Sequence, residues 1–516
     1  MPLLEENSLP SDQPLTVPVV VIGNGPSGIC LSYLLSGYRP YLDAAAAHPN
    51  PVLFSKLQEA KHLSIIDQDL EYLSEGLEGR SSNPVAVLFD TLLHPDADFG
   101  LEFPSPLQWR LEPQTHVPHL VLGKACPGGA WHAMEGSMLT ISLGIWMELP
   151  GVNYRDLTGK RRSVANDRAT PEEISSYYKN YVKLMGLQKN FVDNAYVTSV
   201  LKLHRDHGEA LESEAGRDDS RDHAQALEDT SSSPLVFPQG IWEVRGYQRA
   251  QDDSPVPFCL FAENVVLATG ASDSPVRLAV EGEDLPFVFH SIADLGAAIS
   301  KRSLGQGSDP VLIVGAGLSA ADATLCAYNN SVSILHVFRK RVDDSSLIFQ
   351  QLPKTLYPEY HKVYHMMCSQ THSAPAGPFP DYTSFPEHCV VSFQPDMKCI
   401  LQSASDFKVF KISMALVLIG THPNLFFLKD QGQYLGLDPS KSISCKQNPI
   451  DIHPFTFECT KEANLFAMGP LVGDNFVRFL KGGALGIASC LTKRLQKKGS
   501  LIADGGGGVR GREGLV

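Results

Sequence analysis

Two glycine-rich turns, each closing an apolar strand and opening a helix, restrict the folds open to this chain more than any other feature. Gly23-Asn24-Gly25-Pro26-Ser27-Gly28 follows Val19-Val20-Val21-Ile22, and Gly315-Ala316-Gly317-Leu318-Ser319-Ala320 follows Val311-Leu312-Ile313-Val314. In such a turn the first glycine makes the tight bend and the second lets the backbone approach a pyrophosphate. The third residue is small so that helix and strand can pack. Unpaired N–H groups at the helix start then hold phosphate oxygens. A single copy arises by chance in glycine-rich loops. Strand, turn and helix in order twice predict an α/β chain of two doubly wound, Rossmann-like dinucleotide-binding domains. Candidate contacts are Gly23, Gly25, Pro26, Ser27 and Gly28 in the first turn, and Gly315, Gly317, Ser319 and Ala320 in the second. Two such sites in one chain point to electron transfer between cofactors.

The strand after each turn reports on the nucleotide. After the second turn, Ser333-Ile334-Leu335-His336-Val337-Phe338 ends in Arg339-Lys340-Arg341, which stand 24, 25 and 26 residues beyond Gly315. An acid there holds an NAD ribose, whereas a base accepts the 2′-phosphate of NADP, so Arg339 and Lys340 predict NADPH. The bland alternative is a solvated basic strand end. After the first turn, Asp43 lies 20 residues past Gly23, but Gly37-Tyr38-Arg39-Pro40 leaves no room for a proper strand before it, and Asp43 reads as a decoy. Pro118-His119-Leu120-Val121-Leu122 is the better second strand, followed by Gly123-Lys124 and Gly128-Gly129-Ala130-Trp131. Residues 38–116 then become a long insertion.

These residues carry a resemblance. Gly128-Gly129-Ala130-Trp131 is similar to the GGxW turn of flavin-dependent monooxygenases, and Val265-Val266-Leu267-Ala268-Thr269-Gly270 to the strand-plus-ATG crossover between their FAD and NADPH domains. Beyond the superfamily, Gly23 to Tyr41, Asp67 to Arg80 and Leu356 to Val363 resemble the oxidative stress-induced growth inhibitor family, over about residues 16–492. The resemblance implies FAD at the first turn, NADPH at the second, and a role in restraining growth and regulating division or cell death. It adds Gly129, Trp131 and Gly270 to the FAD contacts. In two-nucleotide flavoproteins a Gly-Asp after a buried strand places a carboxylate on the ribityl hydroxyls. Here Asn464-Leu465-Phe466-Ala467-Met468-Gly469 precedes Gly473-Asp474-Asn475, which nominates Asp474, with a turn cap as the alternative. Lys481-Gly482-Gly483-Ala484 reads as the opening of a further helix whose positive end faces the flavin, which nominates Gly483.

Departures from the pattern bear on activity. Leu122, Gly123 and Lys124 stand where an acidic ribose ligand is usual. Where microsomal flavin monooxygenases hold an Asn, this chain has Ile141 or Ser142, and Trp131 and Ser142 are the candidate side chains beside the flavin. The interdomain fingerprint survives only as Phe287-Val288-Phe289-His290-Ser291 with Leu295, and Leu418-Ile419-Gly420-Thr421-His422-Pro423 replaces a second ATG crossover. Three readings follow. The leading one is an FAD- and NADPH-dependent monooxygenase that hydroxylates or sulfoxidises a small molecule or a protein side chain. The second is an NADPH oxidase releasing H2O2, and the third a nucleotide-sensing scaffold without turnover.

Composition sets the remaining bounds. At 516 residues and 43% hydrophobic content the chain can bury two α/β cores. A net charge of −14 argues against general nucleic-acid binding. Ten cysteines contain no CxxC pair, which counts against a zinc ribbon or a redox dithiol. His361 and His365 lack an HExxH arrangement or a third ligand, so no metal is expected. Tyr357 to Met367 reads instead as a segment over the nicotinamide or at a domain contact. The N-terminus lacks the basic start of a signal peptide, and apolar runs such as Ala415 to Ile419 fall well short of the ~20 residues of a membrane span. The expected location is intracellular and reducing, in the cytoplasm.

The expected division is a flexible N-terminus at 1–13, an FAD domain over 14–285 and 412–495, an NADPH domain over 286–411, and a Gly-rich flexible tail at 496–516. The insertion 38–116 reads either as cover for a sheet edge or as a lid or surface for regulatory partners. Thr170-Pro171-Glu172-Glu173 opens a helix on which Tyr177, Tyr178 and Tyr181 pack. Residues 204–233, with nine acids against three arginines, read as a disordered linker.

Overall fold

The computed structural model describes residues 4, 8–10, 14–100, 103–134, 138–158, 168–203, 240–369, 371–372 and 377–505, with side chains up to residue 497. The acidic segment 204–233 and residues 506–516 lie outside the described residues. Two parallel sheets organise the chain. In the first, strands Phe191–Val192, His119–Leu122, Leu15–Ile22 and Pro255–Leu267 lie side by side, and Leu465–Ala467 joins the end of the long strand. Ile22 pairs with both Leu122 and Leu267, so three strands end together and their loops leave from one edge. The first half of the long strand continues into an antiparallel meander with Trp242–Arg249 and Ala195–Lys202.

The second sheet runs Val288–Phe289, Met414–Val417, Val311–Val314, Ile334–Phe338, Tyr382–Pro386, all parallel. Its central strands are apolar except at His336, because both faces are covered. Val311 and Ile313 join a core with the helices Leu318–Asn329 and Pro358–Ser369, while Leu312 and Val314 join a second core beneath an antiparallel sheet. That sheet comprises Cys389–Gln394, Lys398–Gln402 and Phe407–Lys411.

Several expectations are corrected. Met414–Val417, assigned by the sequence pattern to the first domain, is a central strand of the second sheet. A short apolar strand carries no mark of which parallel sheet it enters. Tyr38–Leu42 does form a strand, but it pairs antiparallel with Leu107–Leu111 outside the parallel sheet. Such a ribbon has only edge strands, which tolerate Pro40. Asp43 then caps a turn by accepting from the Ala45 N–H. The last helix spans Val477–Gly505, so it opens four residues before Lys481, and residues 496–505 of the expected tail are helical.

The insertion is part of the first core. Leu53, Leu57, Leu70, Leu73, Leu88 and Phe89 are buried in it. Helix Pro84–Leu93 lies against the last helix, and Gly482 permits the approach, since a Cβ there would sit 2.2 Å from the Ala86 Cα. Beside this contact Arg478 donates to both oxygens of Asp90, at 2.8 and 2.5 Å, and to Asp98 at 3.0 Å. Lys481 Nζ meets His94 Nε2 at 3.1 Å. Burial, with Lys481 and Arg478 nearby, holds His94 well below its ordinary pKa, so the ring is a neutral acceptor.

Helix Pro171–Leu184 opens on a capping box between Thr170 and Glu173. The hydroxyls of Tyr177, Tyr178 and Tyr181 donate to the carbonyls of Val152, Met147 and Pro150, which is a packing use. Tyr357 and Arg168 join the sheets' surroundings. The Tyr357 hydroxyl donates to the Ile141 carbonyl at 2.7 Å, and buried Arg168 pairs with Glu359 while donating to the carbonyls of Thr140 and Leu356. Of the two places expected for the Tyr357 to Met367 segment, this is the domain contact. Among the described residues no helix is long and apolar enough to cross a membrane, and no group of residues could hold a metal ion.

Candidate nucleotide-binding sites

At the first turn each glycine has a separate physical reason. Gly23 has φ +116°, and a Cβ there would lie 2.2 Å from the Ala268 carbonyl oxygen. Gly28 faces back onto the turn, where a Cβ would lie 2.0 Å from the Gly23 oxygen. Around a Cβ on Gly25 there is open space. The following helix, Pro26–Leu35, has Gly25 as its N-cap, with no side chain capping its first N–H groups and no acid in its first turn. An uncapped helix start behind a bare backbone is a place for an anion.

That open space belongs to a cavity of about 400 Å³. Its wall combines the first turn, including Pro26 and Ser27, with Gly129 and Trp131, the crossover Thr269-Gly270, and Asn475 at the approach to the last helix. The edge where Ile22, Leu122 and Leu267 end together is what brings these loops to one place. Ligands of open α/β sheets bind at such carboxyl ends. The Thr269 Oγ1 is buried without a hydrogen-bond partner among the described residues. Lys124 and Asp273, both in the wall, form an ion pair with each other. Val477, the first residue of the last helix, also lines the cavity, so the positive end of that helix is at the wall.

The second turn repeats the geometry. Gly315 has φ +135°, and a Cβ there would lie 2.3 Å from the Leu418 oxygen, whereas Gly317 faces open space. Gly317 is the N-cap of helix Leu318–Asn329, again without a side-chain cap. Ser319 is exposed beside it and Ala320 is buried against the sheet. The Gly315 N–H donates to the Val337 carbonyl, so the end of Ile334–Phe338 lies beside the turn. Of the cations beyond it, Arg341 is paired with Asp343 and Lys340 is bonded to Ser346. Exposed Arg339 makes no hydrogen bond or ion pair with the described residues. Beneath the turn, His336 Nε2 meets the Gly315 oxygen and Nδ1 the Tyr382 hydroxyl, both at 2.7 Å. Burial pushes that ring down to about 4.

Three nominated residues are placed elsewhere. Asp474 is buried and is not among the residues lining the cavity, accepting from Ser81 Oγ at 2.5 Å and Asn83 Nδ2 at 2.8 Å, and burial raises its carboxyl to about 6. It ties the insertion to the loop that leads into the last helix. Gly483 is a packing residue, since a Cβ there would meet Met468 Cβ at 2.6 Å. Ser142 is not in the cavity wall; its carbonyl accepts from Thr140. Conversely, Asn24, Asp273, Asn424 and Asn475 line the cavity without having been singled out. For Asn24 a signal existed, because it lies inside the glycine turn. Asp273 and Asn424 sit in loops with no motif.

Comparison with known proteins agrees with this architecture. No family model matches the chain. It is 64% identical over 509 residues to oxidative stress-induced growth inhibitor 2 of Homo sapiens, covering 98% of this chain and 99% of the relative. It is 49% identical over 490 residues to oxidative stress-induced growth inhibitor 1 of Homo sapiens, covering 95% and 97%. Among solved structures, bacillithiol disulfide reductase from Bacillus cereus superposes with a TM-score of 0.54 at 14% identity, over 93% of this chain and 99% of that one. The fold is that of two-domain FAD/NAD(P)-binding oxidoreductases. With two thirds of its residues shared with one relative across nearly its whole length, the chain belongs to the oxidative stress-induced growth inhibitor family.

Proposed function

We propose that the chain is an FAD- and NADPH-dependent oxidoreductase of the monooxygenase type, acting in growth control under oxidative stress. The observation that carries this reading is the paired geometry of the two turns. Each has an uncapped helix start behind a glycine whose missing side chain faces open space. The first cavity also fits FAD by its partnerless Thr269 hydroxyl and its wall of backbone and amide groups. When bound there, FAD would accept hydride from NADPH and pass its two electrons to O2, one oxygen atom going to an acceptor and the other, with the hydride's proton and one from solvent, to water.

The chain's own part is binding. Gly23, Gly25, Ser27 and Gly28 would hold the FAD pyrophosphate, with Pro26, Gly129, Trp131 and Gly270 shaping the wall. Gly315, Gly317, Ser319 and Ala320 would take the NADPH pyrophosphate, and Arg339 the 2′-phosphate, with Lys340 in support. Lys124 and Asp273 are already paired to each other, and among the described residues of the wall there is no histidine. Met134, Phe426 and Phe427 add apolar side chains to the wall.

A second reading, release of H2O2, is favoured by the absence of Ser142 from the wall. The test is purified full-length protein with FAD, mixed anaerobically with NADPH and then with oxygen and 18O-labelled O2. Loss of the flavin absorbance near 450 nm is expected. Label in an acceptor supports monooxygenation, and H2O2 stoichiometric with NADPH supports the second reading. Protein that neither binds nor reduces FAD would overturn both in favour of a scaffold.

A further inference from the structure

The first turn has Asn24 between its glycines, and the strand His119–Leu122 ends at Gly123 instead of an acid. In the folded chain these two departures are one arrangement. A Cβ on Gly123 would lie 1.9 Å from Asn24 Nδ2, 2.1 Å from its Cγ and 2.7 Å from its Oδ1. The Asn24 carboxamide therefore fills the volume that a side chain at 123 would need. Neither backbone can yield easily. The Gly123 N–H donates to Val192 and its carbonyl accepts from Ala195, while the Asn24 carbonyl accepts from Gly128.

Asn24 is nearly fully buried, and its Nδ2 donates to the Ala125 carbonyl at 2.5 Å, which fixes the amide plane. Its Oδ1 receives no hydrogen bond from the described residues and is not sealed from the cavity, whose wall includes both Asn24 and Gly123. The end of the second strand is where a dinucleotide's adenosine ribose is held in this fold class. We propose that Asn24 is the ribose-positioning residue of the first site. Its fixed Oδ1 accepts from a ribose hydroxyl in place of a strand-end carboxylate, and Gly123 is required to make room for it. This rests on the reading of the first cavity as the FAD site.

The test measures FAD binding by the full-length protein, without turnover, for the original chain, Asn24→Ala, Gly123→Glu and the double variant. Binding of FAD is compared with that of its 2′-deoxyadenosine analogue. One lost hydrogen bond of this kind corresponds to roughly a tenfold change in affinity. The original chain is expected to prefer FAD over the analogue by about that factor. Asn24→Ala should lose the preference, Gly123→Glu should bind poorly, and the double variant should regain FAD affinity because the vacated space accepts the carboxylate. A general structural defect would weaken both ligands alike and leave the preference intact. If Asn24→Ala keeps the preference while the original chain binds FAD, the proposal fails and the FAD reading stands. If the original chain binds no FAD, both fail. Should Gly123→Glu not fold, the Asn24→Ala preference alone decides.

Discussion

At the scale of single residues, the three glycines of the first turn separate folding from binding. Gly25→Ala adds a methyl group into open space at an ordinary φ, so the thermal midpoint should stay within about 2 °C, while FAD affinity falls roughly tenfold or more as the methyl occupies the pyrophosphate's approach. Gly23→Ala has no such freedom. Its Cβ meets a backbone oxygen at 2.2 Å, and its φ disfavours any side chain, so it should fail to give soluble folded protein. Differential scanning calorimetry and an FAD titration on the two variants check both claims. At the second turn Arg339→Ala should raise the Kd for NADPH about tenfold or more and leave that for NADH unchanged, since only the 2′-phosphate is lost. Equal weakening toward both nucleotides would remove Arg339 from that role. These positions were legible because a glycine turn is a local object. Strand, bend and helix start follow one another without interruption, although the contacts that forbid a side chain at Gly23 and Gly315 come from Ala268 and Leu418, far along the chain.

At the scale of elements, legibility falls with sequence separation. Asp474 reads as a ligand when seen beside Gly473, yet its carboxylate is claimed by Ser81, 393 residues away, and by Asn83. The same holds for Met414–Val417, whose apolar run names a buried strand without naming its sheet. The insertion reads from the sequence either as cover for a sheet edge or as a lid or partner surface, and in the fold its helix Pro84–Leu93 packs on the last helix. There Arg478 and Asp90 are both buried and bonded through two hydrogen bonds. Removing one partner leaves a buried carboxylate unpaired, which costs about 3–5 kcal/mol. Arg478→Met should therefore lower the urea midpoint strongly. Arg478→Met with Asp90→Leu should recover part of the loss, because the buried Asp90 carboxylate is then gone, while Asp98, the other partner of Arg478, is less buried and also lies beside Arg80. A double variant no more stable than Arg478→Met alone would show that the pair contributes by shape and not by charge.

At the scale of the whole molecule, each parallel sheet contains a histidine buried as the neutral ring. His119, in the first sheet, meets Ser32 Oγ and the Val117 carbonyl, and His336, in the second, holds the Gly315 carbonyl. Burial pushes both to about 4, from an ordinary value of 6.5. The unfolded chain takes up these protons first as pH falls, so folding stability is fullest above about 6.5 and declines from there toward 4. Asp474 acts in the opposite sense. Its carboxyl, raised to about 6, binds a proton more readily in the folded chain, and this offsets part of one histidine's effect between about 6 and 4. With His94 also held neutral, three lowered histidines outweigh the raised Asp474 carboxyl. Urea midpoints measured from pH 7.5 to 4.5 should be level above about 6.5 and then fall, and if the sheets unfold in separate steps both steps should move. A second-step midpoint independent of pH would mean that the ring beneath the Gly315 turn does not need to be neutral, and that the turn is held by its backbone alone.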